Sequence, residues 1–146
     1  MIFANGKGGY IAKVTDFGYS TLFSSDTDLI WMPRSGHWTA PEHHHRAFTP
    51  TNAIKMDAYS LGMLCLWLLW LLCCERGLDV DCEFRRSLDA HKEASNLASE
   101  LVRISVPMVN EDRDNIQQFF RLTLAKNRDD RTSNFGDLLG YLSPNR

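Results

Sequence analysis

Positions 61–74 carry only Leu, Trp, Met, Gly and Cys, so no polar side chain other than thiols interrupts the run. A membrane span needs about 18 to 20 such residues, and this shorter run predicts a helix buried on all sides in a protein core. Asp57 and Ser60 stand near its expected start, where carboxylates and hydroxyls satisfy free backbone N–H groups. Glu75, Arg76 and Gly77 end it, the glycine suiting the turn that closes a helix. Further on, Leu97, Leu101 and Ile104 recur at helical spacing, and so do Ile116, Phe119, Phe120 and Leu124, with Pro107 dividing the two segments. A last short helix is expected after Asn134 as cap, with Leu138, Leu139 and Leu142 on its apolar face.

Strand character is confined to the N-terminus. Residues 10–15 alternate bulky and smaller side chains, and a turn through Asn5, Gly6, Lys7, Gly8 and Gly9 joins them to residues 1–3 as a hairpin. From 20 to 50 no period holds; the stretch is rich in Ser, Thr, Asp, Gly, His and Pro, and irregular connections of that length are usually functional or disordered. The pattern predicts a mainly α fold over 1–146, with a residual N-terminal β-hairpin and a central buried helix.

With 146 residues and 44% hydrophobic positions the chain can build one core. A net charge of −2 and a pI near 6.2 leave no basic footprint, so neither nucleic acid nor an anionic membrane is expected as a partner. Cys65, Cys73, Cys74 and Cys82 form no C-x-x-C pair and read as reduced, buried thiols. The apolar part of the N-terminus is too short for a signal peptide, and an intracellular location, cytoplasmic or nuclear, is expected. His37 and the adjacent His43, His44 and His45 raise metal binding, but neighbouring histidines point in different directions, so they are expected to line a loop surface.

Three short words occur in order. Asp16-Phe17-Gly18 follows the strand, Ala40-Pro41-Glu42 closes a segment of 27 residues counted from Asp16, and the stretch from Asp57 to Gly62 enters the apolar helix. Together they resemble a protein kinase, from the strand before Asp-Phe-Gly to the last helix, and Asn127-Arg128-Asp129-Asp130-Arg131 is similar to the family's turn before that helix. The resemblance covers essentially the whole chain and implies a truncated kinase-like C-terminal lobe in which 16–42 is the activation segment. It implies ATP and Mg2+ as the parent family's cofactors, with Asp16 as the metal ligand and Phe17 and Gly18 beside it. It implies that Glu42 and Arg131 form a buried ion pair anchoring the segment to the helical core. Asp57, which in the family holds the catalytic-loop backbone, is left to cap its own helix. Ser35 matches the hydroxyl before Ala-Pro-Glu in serine/threonine kinases, whereas Trp38 stands where those enzymes more often have tyrosine; the balance leans to Ser/Thr specificity. Ser20, Thr21, Ser24, Ser25 and Thr27 share the segment, either as phosphate acceptors or as a solvated polar loop.

The sequence holds no G-x-G-x-x-G, no V-A-I-K lysine and no H-R-D-x-x-x-x-N loop, and Gly6, Lys7, Gly8 and Gly9 lack the spacing of a phosphate-binding loop. The 146-residue chain is therefore expected to be catalytically incomplete and to bind no cofactor alone. Three readings follow. The chain is a fragment of a kinase acting on a protein substrate; or a short pseudokinase-like module docking a partner such as another kinase; or a membrane-associated protein anchored through 61–74, with Cys73 and Cys74 as acylation sites.

Overall fold

The structure, a computed structural model, describes residues 2–4, 10–44, 47–78, 94–105 and 110–142. Ile2–Ala4 and Tyr10–Ala12 (β1 and β2) pair antiparallel with Ile2 opposite Ala12, and residues 13–17 continue without the strand geometry anticipated to Thr15. The expected turn at 5–9 lies outside the described residues, as do Met1, His45, Cys82 and Pro107. The remaining regular structure is helical: α1 (Pro50–Glu75), α2 (Ala94–Ile104), α3 (Asn110–Thr123) and α4 (Phe135–Leu142).

The central helix begins eleven residues before the apolar run, at Pro50, whose fixed φ and missing N–H suit the first helical position. Asp57 and Ser60 are consequently interior to α1. This corrects the expectation that Asp57 caps it: Thr49 is the N-cap residue, and it supplies no side-chain hydrogen bond. At the other end Gly77, with φ 70°, lets the Leu78 and Gly77 N–H groups donate to the carbonyls of Cys73 and Cys74 at 3.1 and 3.0 Å, closing the helix as glycine allows.

The helix is not buried on all sides. Ala53, Met56, Tyr59, Met63, Leu66, Leu69 and Cys73, spaced by three or four residues, pack into the core, while Leu64, Leu68 and Leu72 stay 42, 46 and 52% exposed. A run apolar on every face cannot reveal which stripe its neighbours cover. By length and composition α1 is apolar enough to cross a membrane, with a mean hydropathy of 1.7 over its most apolar 18 residues, although 39% of those residues are buried within the protein. Cys73 is buried, but Cys74 is exposed, in contrast to the expectation for all the cysteines.

α1 packs against α2 and α3, α2 and α3 against each other, and α4 against α3. In α2 the buried stripe is Ala94, Ala98, Leu101 and Val102, displaced from the anticipated Leu97, Leu101 and Ile104 because small alanines face the core. In α3 Phe119 and Phe120 are buried edge to face, 5.4 Å apart, and Leu124 is buried just beyond the helix. Asn134 accepts from the Gly136 N–H at 2.9 Å and so caps α4, whose Leu138 is buried while Leu139 and Leu142 face outward.

Gly62 sits where α1 crosses the end of α3. A Cβ there would lie 2.5 Å from Thr123 Oγ1 and 2.8 Å from Leu124 Cδ2, both on buried residues. Gly62→Ala gains about 1 kcal/mol of helix propensity, but the overpacking it forces costs about 1–3 kcal/mol. Thermal unfolding is expected at a lower Tm for Gly62→Ala; an unchanged or higher Tm would refute the close crossing.

Candidate functional site

The segment from Asp16 to Pro50 is irregular but not loose throughout. Ile30 and Phe48 exchange backbone hydrogen bonds of 2.7 and 2.9 Å in an isolated antiparallel bridge, and both side chains are buried. Within the ring so formed, a 3-10 turn at Gly36–Trp38 lies on α1: Ser60 Oγ donates to the Trp38 carbonyl at 2.7 Å, and the Trp38 and Trp67 rings meet edge to face at 6.1 Å. Ser60 and Trp67 are functional-site neighbours that sequence reasoning missed, since a hydroxyl on a helix and a tryptophan in an apolar run carry no signal of what they will touch.

Beyond the turn, Ala40 is buried, and Glu42 meets Arg131. Arg131 Nη1 and Nη2 donate to Glu42 Oε1 and Oε2 at 2.6 and 3.0 Å, a two-pronged pair across 89 residues. The arginine side chain is 0% exposed and the glutamate 17%. Arg131 Nε donates to the Ala125 carbonyl at 2.7 Å and Nη2 to the Lys126 carbonyl at 3.3 Å, while the guanidinium lies 4.6 Å from the centre of the Tyr59 ring. Burial raises the Tyr59 phenol above its usual pKa, with Arg131 opposing and Glu42 reinforcing the shift.

Asp16 and Asp57 come together on a cavity of about 390 Å³ whose wall also holds Ser20, Thr21, Ser35 and His43. Asp16 is exposed and adopts φ 66°, a left-handed conformation that a short polar side chain tolerates better than most. Phe17 is exposed outside the cavity wall, and Gly18 opens the turn in which the Ser20 N–H bonds the Phe17 carbonyl. Asp57 opens to the cavity, yet the protein around it desolvates its carboxylate and raises its pKa. Among the described residues no donor bonds it, and no lysine or arginine lines the cavity.

His43 does not simply line a loop surface. Its Nε2 bonds the Met32 carbonyl at 2.7 Å, which makes that nitrogen the protonated one, and its ring tilts against Phe48. Ser24 and Ser25 cluster separately around Asp28, whose Oδ2 accepts both backbone N–H groups at 2.8 and 3.1 Å. Burial raises the Cys65 thiol, and that of Cys73 too, where Cys74 adds to the shift and Arg76 opposes it; both thiols stay protonated and weakly nucleophilic.

The described residues gather no set of three His, Cys, Asp or Glu side chains able to hold a metal ion. Asp16 offers one carboxylate. Magnesium is commonly held by one or two carboxylates together with substrate phosphates and waters, so Asp16 fits a ligand position but does not make a site by itself. What the cavity does bring together, among the described residues, is two carboxyl groups beside several hydroxyls. No family model, no curated protein and no solved structure matches the chain.

Two outcomes are expected. Arg131→Ala leaves Glu42 charged and desolvated and costs about 3–5 kcal/mol, read as a large loss in denaturant midpoint; an unchanged midpoint would show that the pair does not anchor the segment. For Asp57, a raised pKa means that the folded state holds its proton above the 3.8 of a free carboxyl, so ionisation weakens the fold as pH rises past that value. Asp57→Asn therefore gains stability relative to the parent at pH 7, and the advantage fades as pH falls to 3.8; a difference between the two that is constant with pH would contradict the burial effect.

Proposed function

We propose that residues 16–42 form the activation segment of a protein-kinase-like C-terminal lobe, with Asp16 at the position that meets Mg2+ and ATP. The chemistry is phosphoryl transfer to protein serine or threonine, and it requires a Gly-rich loop, a lysine and a catalytic-loop Asp and Asn that these 146 residues do not contain. One observation carries the reading: Glu42, the last residue of Ala40-Pro41-Glu42, receives both prongs of Arg131, 89 positions away. A pair between the end of that word and the turn before the last helix is what the resemblance implies. The convergence of Asp16, Asp57 and Ser35 on one cavity supports the same reading.

General base help is typically worth about 100- to 10,000-fold, and metal clamping several kcal/mol more. Without the groups that give both, the chain alone has no turnover. An intracellular setting accords with three free cysteines among the described residues. A second reading, a pseudokinase-like docking module, is favoured by the exposed Leu64, Leu68 and Leu72.

The pure 146-residue chain, incubated with Mg2+, labelled ATP and a serine/threonine peptide mixture, is expected to incorporate no phosphate. The intact mass of the endogenous protein, captured through its C-terminal helices, then separates the readings. A species several times larger that phosphorylates peptides, and loses this activity with Asp16→Asn, supports phosphoryl transfer; a species of 16.7 kDa supports docking and overturns the kinase reading.

A further inference from the structure

We draw no further inference here: the strongest candidate, the exposed row of Leu64, Leu68 and Leu72 along the outer face of α1, ends beside both Glu75 and Arg76, and nothing in the structure shows what covers it.

Discussion

The Arg131 guanidinium ties three parts of the chain together at one point. Its planar fork binds Glu42 with two hydrogen bonds, its Nε takes the Ala125 carbonyl, and its face covers Tyr59 of α1. One side chain thus fixes the Glu42 end of the irregular segment, the turn between α3 and α4, and the central helix relative to one another. A lysine could not replace it, since an ammonium is a point charge without the bidentate geometry or the flat face. The charge is tolerable in the interior because nearly every donor is matched and the counter-charge is adjacent. Lys55 and Asp129, 3.6 Å apart, make a nearby link of a weaker kind, with Asp129 in solvent.

The close crossing of α1 and α3 works by a different principle. There the fold depends on something missing: without a side chain at Gly62, Thr123 and Leu124 approach the backbone of α1. The Thr123 hydroxyl avoids being stranded there by donating to the Phe119 carbonyl at 2.9 Å, so a polar atom is buried at little cost. Glycine in mid-helix costs about 1 kcal/mol in propensity, which the tighter packing offsets.

How far the sequence could be read depended on the kind of information each residue carries. The amphipathic periods of α2 and α3 announced helices, and Asn134 and Gly77 announced helix ends, because those signals are local. The start of α1 was not legible: the stretch from Pro50 to Asp57 has no apolar run, and Pro50 marks an N-terminus only once the helix after it is known. Nor was the exposed side of α1, since a helix apolar all round has no moment to orient it. At the candidate site, Glu42 and Arg131 were paired only through a family resemblance, because no local rule links residues 89 positions apart. The cavity shared by Asp16 and Asp57 arises from the path of the segment, to which single residues give no clue.

The bridge between Ile30 and Phe48 divides the long connection into two mechanical regimes. The described residues between Ile30 and Phe48 are closed off at their base by that bridge and held along their length by the Trp38 and Glu42 contacts. Residues 13–29 are an arm that leads into the ring at Ile30, faces it across the cavity through Asp16, Ser20 and Thr21, and is exposed along nearly all of its length. Closing a ring already cinched at its base adds little further entropy cost, whereas ordering the arm has still to be offset by whatever it meets. The closure at Ile30 and Phe48 and the anchorage of Glu42 thus stand without contributions from the arm.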